Sequence, residues 1–170
     1  MKTRFALALL IPAFSLHLGA AAAQPIIDEA SITLDAAVKA ANACEALAKS
    51  KGWKVTIWIA DDNDVPVYIK HMDGALIEGI HTAELKTKSV KVWLSTSDPA
   101  APDSRIGRSI KTTEGQIMNI LLGAFPNTGG VPLFDGGKYI GAMGVGGAGA
   151  GDGTCAQAGA DAIMKRVGTP

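Results

Sequence analysis

The sequence predicts a single α+β domain, in which helices cover an antiparallel β-sheet. Three segments carry apolar residues at helical spacing, and two pairs of strand-like segments are each joined by a short polar or glycine-rich turn. The predicted order is helix, hairpin, helix, loop, hairpin, helix. Hairpins separated by helices indicate an antiparallel sheet rather than a doubly wound parallel one.

The first predicted elements are a helix and a hairpin. Apolar residues at helical spacing predict a helix over residues 31–51, with Thr33 as its N-cap and Gly52 as its stop. Alternating aliphatic residues then predict a strand over residues 55–59, with one face buried. An aspartate-rich turn follows and leads into a second strand over residues 65–71. This turn lacks the glycine and glutamate of an EF-hand, so we do not expect calcium there.

A second helix is predicted over residues 75–94, followed by an irregular segment. The residues expected to face the core of this helix are Leu76, Ile80, Ala83, Thr87, Val90 and Leu94. Polar residues and two prolines predict a loop over residues 95–113, with at most one helical turn. Residues 115–122 predict a short helix.

The last third of the chain is rich in glycine. It predicts a strand over residues 129–134, a turn at 135–137 and a returning strand over 138–145. Residues 146–153 are interpreted as a flexible link, and residues 154–167 as a closing helix. Because the glycines after the strand are interpreted as a strand end and hinge, we expect no nucleotide cofactor.

The N-terminus has the features of a cleavable signal peptide. Two basic residues precede an apolar run, which ends with Ala21 and Ala23 in a small-x-small arrangement. We expect a signal peptide over residues 1–23 and one domain over residues 24–170, in the periplasm or secreted. A retained membrane anchor is the less favoured alternative, because the run is shorter than about 20 residues and contains Pro12.

The charge balance excludes nucleic acid as a partner. The chain has 16 basic and 16 acidic residues, and only basic ones leave with the signal peptide. The mature domain is therefore slightly acidic, whereas binding to a phosphate backbone requires a basic face. No later segment is apolar enough for a membrane span.

Several motifs, taken in order, resemble the GlcG/HbpS-like family, which includes the C-terminal domain of PduO proteins. These motifs are LDAA at 34–37, MDGA at 72–75, A-x-x-K at 83–86, GVPL at 130–133, DG at 135–136, IGAMGVGG at 140–147 and CAxAG at 155–159. The resemblance implies a profilin-like fold, with a five-stranded antiparallel sheet flanked by helices, commonly assembled as a homo-oligomer. It also implies that some members bind haem non-covalently, while others are named only from operons of glycolate or diol metabolism.

Five residues are candidates for binding a ligand. His71 or His81 is expected to ligate haem iron if haem binds, and Lys86 matches the helix lysine of the family, where it would balance a carboxylate or propionate. The backbone amides of Gly129 and Gly130 would cradle an anion. The structural alternatives are a surface histidine, a solvated lysine and glycines that only shape the start of a strand.

Cys44 and Cys155 lie on the inward faces of the first and last predicted helices. In the implied fold these helices pack side by side, so we expect a disulfide bond, which an oxidising compartment permits. The alternative is a pair of buried thiols.

Three hypotheses for function follow. The first is an exported protein that binds a flat anionic small molecule, with haem preferred, between the second helix and the Gly129 hairpin. The second is a lyase or isomerase acting on a small carboxylate or aldehyde, with His71, Asp73, His81 or Lys86 as acid/base groups. The third is a structural or sensory oligomer that contacts a partner protein.

Overall fold

The computed structural model describes residues 31–164, so the predicted signal peptide at 1–23 lies outside the described residues. The elements are α1 (Leu34–Lys51), β1 (Thr56–Asp61), β2 (Pro66–His71), α2 (Ile77–Trp93), α3 (Arg105–Ser109), α4 (Thr113–Leu121), β3 (Gly130–Asp135), β4 (Lys138–Gly146) and α5 (Gly151–Ile163). This order agrees with the predicted one, and α3 is the helical turn expected within the loop.

The sheet has the strand order β2-β1-β4-β3, and all neighbouring strands are antiparallel. The α+β class is therefore confirmed, but the described residues form four strands, not the five that the resemblance implied. Beyond β3, the backbone N–H of Ser97 donates to the Gly130 carbonyl, and Gly130 N–H donates to Ser97 Oγ. This contact does not extend into a fifth strand, because Pro99 and Pro102 interrupt the segment that follows.

Helices α1 and α5 pack side by side on one face of the sheet. Small residues line their contact, and all of the following are fully buried: Ala37, Ala40, Ala41, Ala48, Ala156 and Ala160. The two helices are joined by the disulfide between Cys44 and Cys155, as predicted. Below them lie the buried side chains Val55, Ile57, Ile59, Leu133, Met143 and Val145. This face is an apolar core of ordinary type.

Helix α2 covers the opposite face, where glycines allow it to lie almost against the backbone of β4. A Cβ at Gly144 would overlap the Ala83 carbonyl oxygen, and a Cβ at Gly146 would lie 2.6 Å from the Gly79 carbonyl oxygen. Thr56 and Ala60 are fully buried beneath this helix, so β1 is covered on both faces and the expectation of one buried face is wrong.

The core-facing stripe predicted for α2 is correct in its middle and wrong at its ends. Ala83, Thr87 and Val90 are fully buried, but Leu76 and Leu94 are 67% and 51% exposed. Both leucines are the caps of the helix rather than part of it, so their side chains leave the helical stripe.

The glycine-rich segment after β4 is not wholly a flexible link, since α5 begins at Gly151 rather than at residue 154. Asp152 fixes this first turn, because its Oδ1 accepts a hydrogen bond from the backbone N–H of Ala148. At the other end, Met164 adopts an extended conformation, so α5 ends before the predicted residue 167.

Candidate functional site

A cleft of about 640 Å³ lies along the outer edge of β3. Its walls come from β3 and the residues before it, from the loop after α2, and from the first turns of α5. The lining residues are Thr96, Asp98, Ala101, Thr128, Val131, Pro132, Ala150, Gly153, Thr154 and Gln157. A volume in this range is typical of small-molecule sites, which span about 300–1,000 Å³.

The cleft combines small apolar surfaces with neutral polar groups. Val131 and Pro132 present the edge of the sheet, and Pro132 is tolerated there because an edge strand does not need every N–H for pairing. Thr154 offers a hydroxyl donor from α5, and Gln157, whose Nε2 already donates one hydrogen to Asp161 Oδ1, offers its second amide hydrogen. The cleft can therefore contact a flat apolar body and hydrogen-bond to polar groups on its rim.

A second cavity of about 450 Å³ continues along the same edge and shares Thr96, Ala101 and Pro132 with the first. Its other lining residues are Leu94, Ser95, Pro102, Asp103, Arg105 and Phe134. We call the two cavities together the β3-edge groove. The sequence did not predict a site here, because the groove is built largely from residues 95–113, which were expected to form an irregular loop.

Lys86 is buried and paired within the chain. Its Nζ donates to Asp152 Oδ2 at 2.7 Å and to the Val145 carbonyl oxygen at 2.9 Å. Both charged side chains are at most 4% exposed. The alternative of a solvated lysine is therefore wrong, and the carboxylate that Lys86 meets belongs to the protein itself.

Gly129 and Gly130 pack directly against this ion pair and against α2. Gly129 has φ 119°, and a Cβ there would lie 2.8 Å from the Asp152 Cβ. A Cβ at Gly130 would lie 2.5 Å from the Lys86 carbonyl oxygen. The glycines thus contact α2 without an intervening cavity, which contradicts the expected pocket between them. The cleft lies on the other side of this segment, towards α5.

The acid/base candidates are not gathered in one cavity. His71 Nδ1 lies 2.7 Å from Thr56 Oγ1, and His71 and Asp73 line a separate cavity of about 200 Å³. His81 is exposed and lies about 200° around α2 from the buried Ala83, not at the border of the apolar stripe. Lys86 is closed off by Asp152. Neither histidine lines the β3-edge groove.

A polar cluster with perturbed pKa values lies at the β1–β2 turn, away from the groove linings. Burial raises the pKa of the Asp64 carboxyl, an effect that Lys88 and Lys91 oppose. Burial, together with the carboxylates of Asp64 and Asp62, raises the pKa of Tyr139 well above its usual range. The turn itself is the predicted polar one.

The described residues provide no nucleotide loop, no metal site and no membrane-spanning helix. Glycines 144, 146 and 149 match a G-x-G-x-x-G spacing, but Gly144 and Gly146 face α2 within an antiparallel sheet, where they serve helix packing. Within residues 31–164, no three His, Cys, Asp or Glu side chains are grouped to hold a metal ion. None of the described helices combines the length and apolar character that crossing a membrane requires.

Asp152 and Arg105 are candidate functional residues that were not predicted from the sequence. Asp152 is the one charged residue among the glycines of the segment after β4, and that isolation was a usable signal. Arg105 carried none, because it lies in a polar loop with other charged residues.

Residues 32–161 match the family model described as "Haem degrading protein HbpS-like". A double mutant of HbpS from Streptomyces reticuli is 24% identical, with a TM-score of 0.68, and the match covers 92% of this chain and 98% of that one. Protein ORFY of Klebsiella pneumoniae is 23% identical, with a TM-score of 0.68 and coverage of 82% and 96%.

The protein in the PduOC:heme complex is 20% identical, with a TM-score of 0.68 and coverage of 82% of this chain and 98% of that one. At these identities the solved structures support the fold. No curated protein sequence matches the chain. The family model spans most of the chain, so the resemblance seen in the sequence is confirmed, and the chain belongs to the HbpS-like family.

Proposed function

We propose that this is an exported protein that binds haem non-covalently in the cleft beside β3. The observation that carries the proposal is the cleft itself, whose volume and mixed lining suit a flat ligand with polar substituents. The family description and the haem complex of a structural relative support haem as the ligand. Export rests on the N-terminal sequence and calls for a mass measurement of the mature protein.

The lining of the cleft suits the ring and the carboxylates of haem, but its described residues include no histidine that could ligate the iron. Val131 and Pro132 would contact the macrocycle, and Thr154 and Gln157 would donate to polar groups. No histidine, cysteine, methionine or tyrosine is among the described residues that line the cleft, so the carboxylate of Asp98 or a solvent water would serve the iron there. Bound haem would supply a redox-active iron. Ligation by His71 or His81 stays a prediction on which this proposal does not depend.

The alternative of a lyase or isomerase is less favoured. Of its four candidate residues, His71 and Asp73 share a small cavity, whereas Lys86 is paired with Asp152 and His81 lies on the outer side of α2. General acid/base catalysis requires its groups within hydrogen-bond reach of one substrate.

The test of haem binding is an absorbance titration of the mature protein with haem. Thr154→Trp places a large side chain in the cleft, and Ala46→Trp, at an exposed position on α1 that lines neither cavity of the groove, is the matched control. We expect a saturable Soret change in the unaltered protein and the control, and at least a tenfold weaker affinity in Thr154→Trp. Equal affinity in all three proteins would place haem elsewhere.

A homo-oligomer is also part of the proposal. Helix α4 turns Asn119 inward, where its side chain bonds to Trp93 Nε1 and Ser109 Oγ. Its apolar residues face outward, with exposed fractions between 46% and 77%: Ile117, Met118, Ile120, Leu121 and Leu122. A contiguous apolar surface of this kind is typical of contact sites. Light scattering should show a multimer that Ile120→Glu with Leu121→Glu converts to monomer, whereas a monomeric unaltered protein would contradict this part.

A further inference from the structure

We infer that Arg105 recognises a carboxylate of the ligand at the far end of the β3-edge groove. This inference rests on the proposed haem binding and adds to it the residue that selects an anionic ligand. It replaces Lys86 in that role, because the ammonium of Lys86 is already paired with Asp152 inside the protein.

The backbone of Arg105 is held in place, and its guanidinium is available. Its backbone N–H donates to Ser95 Oγ at 3.1 Å, and Nη1 donates to the Trp93 carbonyl oxygen at 3.3 Å. The side chain forms no ion pair with any residue in the range 31–164. A guanidinium has five N–H donors, so most of them remain for an acceptor in the groove.

The charges of the groove make this position distinctive. Among the described residues that line it, Arg105 is the one cation, and Asp98 and Asp103 are the anions. Asp98 Oδ1 already accepts from the backbone N–H of Ala100. The carboxylates of Asp98 and Asp103 therefore repel a ligand carboxylate, whereas the guanidinium of Arg105 attracts it. The planar, forked guanidinium also matches the geometry of a carboxylate.

The placement suits a flat amphiphile with its carboxylate at one edge. The two cavities of the groove meet at Thr96, Ala101 and Pro132. A ring lying against Val131 and Pro132 can therefore extend a carboxylate along the edge strand towards Arg105. The ligand class that this predicts is a planar, largely apolar molecule with one or more carboxylates, and haem is a member.

The experiment compares haem with haem dimethyl ester, in which both propionates are uncharged. Dissociation constants are measured by absorbance for the unaltered protein, Arg105→Gln, Arg105→Lys and Arg108→Gln. Arg108 is the matched control, since it is exposed on the same short helix but does not line the groove. Circular dichroism melts establish that each variant is folded.

We expect the unaltered protein and Arg108→Gln to bind haem about threefold to fivefold more tightly than the ester, as for an exposed charge pair. Arg105→Gln should lose this preference by weakening haem alone, and Arg105→Lys should keep part of it. If the unaltered protein binds haem and Arg105→Gln retains the full preference, the inference is wrong and the proposed function stands. If the unaltered protein binds no haem, both fall.

Discussion

The two faces of the sheet are held by different chemistry. Under α1 and α5 the contacts are alanines, aliphatic side chains and a disulfide, which resemble an ordinary core. Under α2 the contacts include glycines, Thr87 and the buried pair of Lys86 with Asp152, in which backbone and charged groups meet closely. The groove opens at the edge where the two faces join, beside β3. The residues that hold the two faces together are therefore largely different from those that line the β3-edge groove.

The largest expected effect comes from removing the disulfide on the apolar face. The bond closes a separation of 111 residues, for which the chain-entropy model gives about 5 kcal/mol. The variant Cys44→Ala with Cys155→Ala should lose about that much free energy of unfolding, measured by urea denaturation under oxidising conditions. A loss below about 1 kcal/mol would mean that the alanine contacts alone hold α1 to α5.

On the opposite face of the sheet, Lys86→Met should lower the free energy of unfolding by about 3 kcal/mol. The substitution leaves the carboxylate of Asp152 buried without its partner. Adding Asp152→Asn should restore much of the stability, since the amide oxygen can still accept from Ala148. Lys91→Met, on the same helix, is the control, with a change under about 0.5 kcal/mol. Urea denaturation measures all four proteins, and a double variant no more stable than Lys86→Met would contradict this view of the pair.

The glycines of this face allow a smaller and sharper test. Gly144→Ala should cost about 2 kcal/mol, because its Cβ would overlap the Ala83 carbonyl oxygen in two packed backbones. In Gly79→Ala the added Cβ would lie 3.1 Å from its nearest atom, the Gly146 carbonyl oxygen. The gain in helix propensity offsets this milder crowding. Thermal melts should therefore separate the two variants. Similar melting temperatures would show that α2 can shift away from β4.

The smallest expected effect is on the pH dependence of stability, through Glu45 on the surface of α1. Hydrogen bonds from Lys70 and Lys49 lower the pKa of Glu45 below its ordinary value of 4.5. A lowered carboxyl pKa gives stability that is present above pH 4.5 and is lost as the pH falls through the folded-state pKa. Glu45→Gln should remove less than about 1 kcal/mol of this dependence, and salt should reduce it further. An unchanged acid limb of the stability profile would contradict the assignment.

Much of the fold could be predicted from the sequence, because most of its elements follow apolar periodicity. The two faces of the sheet differ in this respect. The face under α1 and α5 follows apolar periodicity, so α1 and the second hairpin were predicted correctly. The Cys44–Cys155 bond was also predicted correctly, from the helix packing that the family resemblance implied. The α2 face follows it only in part, because Lys86 is buried beside the predicted stripe and glycines of β4 replace side chains. The buried state of Lys86 depends on Asp152, 66 residues away in sequence, and such a partner is invisible to local pattern.

The candidate site was predicted less well than the fold. Thr128 and the residues before β3 lie beside the cleft, so the glycine segment pointed to the correct region. It pointed to the wrong side, because the sequence could not show that Gly129 and Lys86 fill the space next to α2. The loop that supplies Thr96, Asp98 and Arg105 has no periodicity, and its place along β3 is set by the bonds between Ser97 and Gly130.

Haem binding in the cleft beside β3 can be tested residue by residue. The most direct measurement is an amide NMR titration of the mature protein with gallium protoporphyrin, a diamagnetic analogue of haem. We expect the largest shifts at Thr96, Thr128 and Thr154, with His81 unaffected. Shifts centred on His71 or His81, or none at saturating ligand, would contradict the account.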